Sequence, residues 1–341
     1  MSEYLGDGTL IHQQKEALRA ITSCRTAKLG GHIDKCDQCG HTAISYNSCR
    51  NANCPKCGGL KRLRWMLQRI VELPPVPYFH MVFTVPDLLN SLFIKYPEAM
   101  YNLLLGSVWE TVREFAKDPK YLGVSSGMIS VLHTWGQNLS LHPHVHCIIP
   151  AGGLTPQNQW REAKKLATNY LFPVKAVSKV FRGIFTKGLI RLHEKGWICM
   201  QHPIDPKNKG LHPLYRNKWV VFSKAPQWWQ SPEQLVKYLS HYVNRVAISN
   251  DRILNVTDES VLFSYKDYRD GKTKKMPLST NEFIRRFLMH ILPKGFRKVR
   301  YYGILSNRKK KTSLLHVACF VSTSVSVIMQ KKKIFRKHGK R

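Results

Sequence analysis

A cluster of cysteines near the N-terminus constrains the fold of this chain more than any other feature. Six of the nine cysteines fall between Cys24 and Cys57. Two Cys-x-x-Cys pairs, Cys36/Cys39 and Cys54/Cys57, are separated by fourteen residues. This spacing is typical of a zinc ribbon, in which each pair forms a tight turn that presents two thiolates to one tetrahedral ion. We therefore predict a zinc site with these four cysteines as ligands.

Four neighbouring residues are alternative ligands of such a site. Cys24, Cys49, His32 and His41 could each replace one of the four cysteines, or they could build a second site. Four thiolates leave no coordination position open, so we expect this zinc to be structural rather than catalytic.

The same cysteines are consistent with a reducing compartment. The N-terminus carries Glu3 and Asp7 and has no apolar signal segment, and no apolar run reaches the ~18 residues of a membrane span. We therefore expect a cytoplasmic protein, in which cysteines are more often metal ligands than disulfides.

The charge of the chain predicts a polyanionic partner. Lysine and arginine number 54 against 21 acidic residues, which gives a formal net charge of +33. A surplus of this size repels itself and is normally kept for binding a polyanion. The basic residues of 308–311 and 331–341 account for eleven of these charges, and residues 1–307 still carry +22. The charge therefore belongs to the folded part as well as to the tail.

Hydrophobic periodicity and proline positions predict two domains and a tail. A basic helix after Gly58 ends at Pro74, Pro75 and Pro77, where we place the boundary. The predicted units are a zinc-binding, DNA-docking domain (1–75), a second domain (76–308) and a basic tail (309–341). In the second domain, predicted strands over 78–85, 128–135, 144–149, 218–223, 261–265 and 299–305 alternate with predicted helices over 97–117, 173–195, 231–246 and 281–292. This order indicates an α+β fold with a central antiparallel sheet flanked by helices.

A histidine pair marks one strand of that sheet as a metal site. His144 and His146 are two residues apart, so both side chains point to one face of the strand, while Val145, Cys147 and Ile149 point into the core. Gln137, close to the preceding strand, could bind the same ion; His133 and His142 are lesser candidates. Two imidazoles and one amide leave positions open for water and a phosphate oxygen, which suits Mg²⁺ or Mn²⁺. The alternative is a purely structural role for both histidines.

A tyrosine pair marks the helix predicted over 231–246. Tyr238 and Tyr242 are four residues apart and therefore lie on one helical face. The stripe of Leu235, Leu239 and Val243 marks a different face as the buried one. The tyrosines lie beside that stripe, although core packing remains the alternative.

These parts, in this order, resemble the two-tyrosine class of the HUH endonuclease superfamily. The closer resemblance is to transposases of the insertion sequence ninety-one family, which carry a zinc-binding domain ahead of the nuclease. It covers about residues 10–308 and is carried by CRTAKLGGH (24–32), CDQCGH (36–41), SCRNANCPKC (48–57), TWGQNLSLHPHVHCIIPAGG (134–153), KYLSHYVNRVAISNDRI (237–253) and EFIRRFLMHILPKGFRKVRYYG (282–303). Members of that family commonly have Arg-His at the positions of Ala52 and Asn53. Because this chain lacks that histidine, Cys36, Cys39, Cys54 and Cys57 are favoured as ligands.

The resemblance implies a transposase that nicks and joins single-stranded DNA at element ends by rolling-circle transposition. His144, His146 and Gln137 would hold Mg²⁺ or Mn²⁺ at the scissile phosphate, and Tyr238 or Tyr242 would attack it to form a 5′-phosphotyrosine. The partner would be single-stranded DNA at the transposon ends and at the target, and no membrane would be involved. The protein would act at the nucleoid of a bacterial cell. The alternatives are a plasmid replication initiator or relaxase with the same chemistry, and a non-catalytic zinc-ribbon protein that binds nucleic acid.

Overall fold

The computed structural model describes residues 10–57, 73–74, 76–163, 170–205, 210, 212–224, 246–267, 269–309 and 317. Within these ranges, the helices are α1 (His12–Ser23), α2 (Asn90–Lys95), α3 (Pro97–Lys117), α4 (Val174–Glu194), α5 (Pro213–Arg216) and α6 (Thr280–Leu288). The strands are β1 (Gly31–Lys35), β2 (Thr42–Tyr46), β3 (Tyr78–Thr84), β4 (Gly127–Trp135), β5 (Leu141–Pro150), β6 (Gly152–Leu154), β7 (Trp160–Glu162), β8 (Val220–Lys224), β9 (Ile253–Val256), β10 (Ser260–Lys266), β11 (Thr273–Ser279) and β12 (Val299–Gly303). None of these helices has the length and apolar character needed to cross a membrane.

The N-terminal module consists of helix α1 and the antiparallel hairpin of β1 and β2. The sequence analysis did not predict this hairpin. Its side chains are almost all exposed on both faces, so there is no alternation of apolar and polar residues to indicate a strand. Ala17 and Leu18 of α1 pack against Ile284, Leu288 and Ile291, which attaches the module to the rest of the protein.

A five-stranded antiparallel sheet with the order β12-β4-β5-β3-β8 forms the centre of the molecule. Helices α3 and α4 pack against each other and cover one face of this sheet. Val145, Cys147 and Ile149 join the core beneath the helices, as predicted from the period of two. The α+β fold with an antiparallel sheet and flanking helices is confirmed.

Local sequence signals account for the bounds of these helices. Pro97 stands at the start of α3, where its missing N–H costs no hydrogen bond. The Ser279 hydroxyl accepts a hydrogen bond from the Glu282 N–H at the start of α6. The crossing of α3 and α4 is close: a Cβ added to Gly188 would lie 2.3 Å from Leu103 Cδ1, so the leucine side chain would have to move to accommodate a larger residue.

A second sheet, with the order β11-β10-β9, packs beside the loop that joins β4 to β5. Only β10 was predicted. Strands β9 and β11 are mostly exposed and β11 contains Pro277, so their sequences carry a weak strand signal. Phe263 of β10 contributes to a buried cluster with Leu139 in that loop. This sheet therefore supports the turn that follows the histidine-bearing strand β4.

The predicted tyrosine helix, with Tyr238 and Tyr242, lies outside the described residues. The same holds for the basic helix predicted after Gly58 and for nearly all of the C-terminal tail.

Candidate metal centres and active site

Three histidines meet on the face of the central sheet opposite α3 and α4. His133 on β4 is paired with His144 on β5, and His146 lies two residues further along β5. Each offers a ring nitrogen, and these atoms all lie within 4.8 Å of one another. His133 and His146 are buried and His144 is half-buried. One ion could therefore contact all three imidazoles while remaining accessible on the side of His144.

Hydrogen bonds orient two of these rings. The Nδ1 of His144 lies 2.7 Å from the carbonyl oxygen of His142. A carbonyl only accepts, so Nδ1 carries the proton and Nε2 of His144 presents its lone pair. The Nδ1 of His146 lies 3.0 Å from Nε2 of His80, and donation from His146 to His80 likewise leaves Nε2 of His146 as the donor atom for a metal.

His80 on β3 was not singled out in the sequence. Its ring is buried and lies edge to edge with that of His146, with centroids 5.3 Å apart and an interplanar angle of 4°, as the hydrogen bond between their ring nitrogens requires. Burial, with added repulsion from Lys224 on β8, lowers the pKa of His80 to about 4. His80 is therefore neutral near pH 7 and can accept the hydrogen bond from His146. The pairing of β3 with β5 creates this contact, and the sequence alone does not specify that pairing.

His133 is the third histidine of the cluster. Gln137 lies in the loop between β4 and β5. Its backbone carbonyl oxygen, not its side-chain amide, accepts a hydrogen bond from the Arg252 guanidinium. His133, a lesser candidate in the sequence, reaches the cluster because β4 pairs with β5 in the register that sets it opposite His144. The indole of Trp135 stacks on His133 with centroids 4.7 Å apart, which restrains the ring.

A second cluster unites Cys24, Cys49, Cys54 and Cys57, whose Sγ atoms lie within 4.8 Å of one another. The Sγ atoms of Cys49 and Cys57 are 3.7 Å apart, close to the ~3.8 Å that two thiolates span around a tetrahedral zinc with ~2.3 Å bonds. Cys24 directly follows α1, and its Sγ accepts a hydrogen bond from the Cys49 N–H at 3.4 Å. Two cysteines from the predicted set and two from the alternatives thus form one tetrathiol site.

The electrostatics of this cluster favour a bound cation. Burial raises the pKa of Cys54 and of Cys49. Burial also opposes ionisation of Cys24, but hydrogen bonds, led by that from the Cys49 N–H, lower its pKa overall. Buried thiols of this kind resist carrying four negative charges unless a metal ion compensates them. The donor set fits zinc in a closed, structural site.

Cys36 and Cys39 do not join the tetrathiol cluster. They occupy the exposed tip of the β1–β2 hairpin, where the Cys36 N–H donates to the His41 carbonyl at 2.8 Å. Backbone N–H groups of Cys39 and Gln38 point at the Cys36 sulfur and lower the pKa of that thiol. The arrangement differs from the predicted ligand set because the hairpin carries this pair away from Cys54 and Cys57.

The two histidines of the hairpin are also exposed. The ring of His32 lies 3.5 Å from the Asp34 carboxylate, and His41 contributes its backbone to the hairpin tip. Neither belongs to a metal cluster among the described residues.

Family models match both the N-terminal region and the second part of the chain. Residues 1–85 match a family model described as "Transposase zinc-binding domain", and residues 127–312 match one described as "Putative transposase". The chain is 42% identical over 320 residues to "Putative transposase y4qJ" of Sinorhizobium fredii, covering 92% of this chain and 79% of the relative. It is 29% identical over 319 residues to "Transposase for insertion sequence element IS801" of Pseudomonas savastanoi pv. phaseolicola, covering 89% and 73% respectively.

Proposed function

Because the chain belongs to the insertion sequence ninety-one (IS91) family of transposases, we propose that it nicks and rejoins single-stranded DNA at the ends of its element by the rolling-circle route. This proposal rests chiefly on the cluster of His133, His144 and His146, three possible metal ligands on adjacent strands of the central sheet. Membership of a transposase family disfavours the plasmid initiator, the relaxase and the non-catalytic binding protein.

The histidines would hold one divalent ion through ring nitrogens. We propose that this ion is Mn²⁺ or Mg²⁺. Imidazole donors fit Mn²⁺ better, whereas Mg²⁺ prefers oxygen ligands. The amide oxygen of Gln137 would supply such a ligand. When bound, the ion would polarise a phosphate oxygen and offset the charge that develops on it. His80 would keep His146 in the ligating orientation through the Nδ1 hydrogen bond.

Tyr238 and Tyr242 are the proposed nucleophiles, on the strength of their motif. The phenolate oxygen of one tyrosine would form a bond to phosphorus while the bond from phosphorus to the 3′-oxygen breaks. That oxygen takes up a proton and becomes a 3′-hydroxyl, and the 5′-phosphate remains on the tyrosine. A free tyrosine has a pKa of about 10, so loss of its proton requires positive charge nearby. Attack of a 3′-hydroxyl on the phosphotyrosine then restores the phenol and joins the strands.

The tetrathiol zinc would hold the N-terminal module in shape for docking on DNA. The exposed hairpin and the basic flanks of this module suit contact with the phosphate backbone. The net charge of the whole chain, +33, implies that DNA binding weakens steeply as the salt concentration rises. We propose that the substrate is single-stranded DNA at the transposon ends and target, and that the enzyme acts on it at the nucleoid in the bacterial cytoplasm.

Detection of a covalent DNA–protein adduct tests this proposal. A single-stranded oligonucleotide carrying the end of the element is incubated with the protein and Mn²⁺, and the adduct is resolved on a denaturing gel. We expect adduct with Tyr238→Phe or Tyr242→Phe alone and none with the double variant. Tyr46→Phe, which alters an exposed tyrosine of the zinc module, is the matched control and should behave as wild type. Adduct formation by the double variant would overturn the tyrosine assignment.

A further inference from the structure

A cavity of about 350 Å³ lies where the N-terminal module meets the central sheet. Helix α1, the loop before Cys54, the end of β4 and the segment 287–298 all contribute to its walls. Leu132, Thr134 and Trp135 of β4 line the cavity just beyond the last pair of β4 with β12, Val131 with Val299. Its volume falls within the range of about 300–1,000 Å³ that small-ligand sites occupy.

Trp135 connects this cavity to the histidine cluster. Trp135 lines the cavity, and its indole stacks on His133 with centroids 4.7 Å apart and an interplanar angle of 17°. Trp135 therefore belongs both to the wall of the cavity and to the surroundings of the proposed metal site. A DNA strand with its scissile phosphate at the histidines would have a neighbouring nucleotide within reach of the cavity.

The lining of the cavity contains aromatic rings and amides, two kinds of group that recognise nucleotides. Trp135, Phe287 and Phe296 are aromatic and can pack against a base. Amide side chains, which both donate and accept hydrogen bonds, come from Gln13, Asn51 and Asn53.

The charge of the cavity suits a phosphate. Lys294 and Lys298 line it, and burial lowers the pKa of Lys298 to about 8, so an anionic partner would favour its charged form. Glu16 is the acidic residue in the lining; it is exposed and its carboxylate lies 3.6 Å from the ring of His12.

The cysteine cluster determines the shape of one wall. The Asn51 carbonyl accepts a hydrogen bond from the Cys54 N–H at 3.2 Å, and its side-chain oxygen accepts one from the Asn53 N–H at 2.9 Å. These bonds fix both asparagines relative to the tetrathiol site. The zinc module would therefore present hydrogen-bonding groups to a ligand that lies beside the nuclease centre.

We propose that this cavity binds one unpaired nucleotide of the DNA strand close to the cleavage site, and that the amides of Asn53 and Gln13 read its base. This inference rests on the proposed nuclease function and adds a specificity pocket to it. It assigns the zinc module a direct part in choosing the cleavage position, beyond general affinity for DNA.

Scanning the oligonucleotide with abasic sites tests the pocket. Binding is measured by fluorescence anisotropy with the Tyr238→Phe/Tyr242→Phe protein, so that cleavage does not interfere. Each nucleotide near the element end is replaced in turn by an abasic residue. We expect one position at which loss of the base weakens binding about tenfold. Adding Asn53→Ala should largely remove that penalty at the same position and leave the penalties at other positions unchanged.

Matched variants separate this result from general damage. Gln13→Ala changes the opposite wall and should reduce the same penalty, which keeps the test valid if Asn53→Ala disturbs the zinc site. Gln38→Ala, at the exposed hairpin tip, should leave every penalty as it was. If neither Asn53→Ala nor Gln13→Ala alters the abasic profile, the pocket assignment is wrong. Because the assay needs no cleavage, absence of adduct in the gel experiment would overturn the nuclease proposal alone.

Discussion

The cysteine cluster and the histidine cluster each gather side chains that could hold a metal ion, but their surroundings suit them to different roles. The four cysteines come from the end of α1 and from a loop, and their thiols would fill all four positions of a tetrahedral ion. The three histidines stand on adjacent strands in the middle of a sheet and leave positions open. The described residues thus contain one closed cluster of four thiols and one open cluster of three imidazoles.

The two clusters should also differ in how far folding depends on their metal ion. Burial raises the pKa of the Cys49 and Cys54 thiols, so a metal must compensate their charge before they can act as thiolates. The histidines are held instead by β-sheet pairing, by the His142 carbonyl and by His80. Loss of zinc should therefore unfold the N-terminal module, whereas loss of the ion at the histidines should remove activity and preserve the fold.

The largest expected effect is that of Cys54→Ser. Structural zinc contributes on the order of 10 kcal/mol to the folding of a small module. The variant should lose its zinc in elemental analysis, and residues 12–57 should become sensitive to limited proteolysis. The double variant Cys36→Ser/Cys39→Ser is the matched control and should retain both zinc and protection. Zinc loss in the double variant, with retention in Cys54→Ser, would place the ion at the hairpin tip instead.

The next effect concerns the open site. His146→Ala and His133→Ala should each reduce adduct formation more than about a hundredfold, with little change in melting temperature, because each removes a direct metal donor. His142→Ala keeps the backbone carbonyl that orients His144 and should remain active. If Gln137→Ala is as damaging as His146→Ala while His133→Ala is harmless, the third ligand is the amide of the loop.

The smallest effect is expected at His80, which contacts the site through His146. His80→Leu should raise the Mn²⁺ concentration needed for half-maximal adduct about 10- to 100-fold, while saturating Mn²⁺ restores the wild-type level. His80→Gln, which keeps a hydrogen-bond acceptor, should lie between the two. An unchanged metal requirement in His80→Leu would show that the hydrogen bond to His146 does not support binding of the ion.

The histidine cluster illustrates which parts of a site a sequence can predict. Ligands on one strand can be recognised, whereas residues that come from other strands cannot. The strand carrying His144 and His146 was recognisable because Val145, Cys147 and Ile149 alternate with them, and this alternation needs only neighbouring residues. Residues that join a site from other strands carried no such signal. His133 and His80 reach the cluster through the pairing of β4 and β3 with β5, which the sequence does not specify.

The cysteine ligands illustrate a related limit. The spacing of Cys54 and Cys57 indicates a metal knuckle, and both belong to the tetrathiol cluster. The spacing of Cys36 and Cys39 is the same, yet an exposed hairpin separates this pair from the others. Identical motifs cannot reveal which of them meet, because that depends on the path of the intervening chain. Cys24 and Cys49, which lie outside any such motif, complete the cluster instead.

Chelation followed by metal addition tests the central claim that one chain holds a closed zinc site and an open catalytic site. After dialysis against EDTA, zinc content and covalent adduct are measured on the same sample, before and after addition of Mn²⁺. We predict about one zinc retained per chain, no adduct before addition, and full adduct afterwards. Adduct at the wild-type level before addition, or parallel loss of zinc and adduct that only zinc restores, would contradict the account.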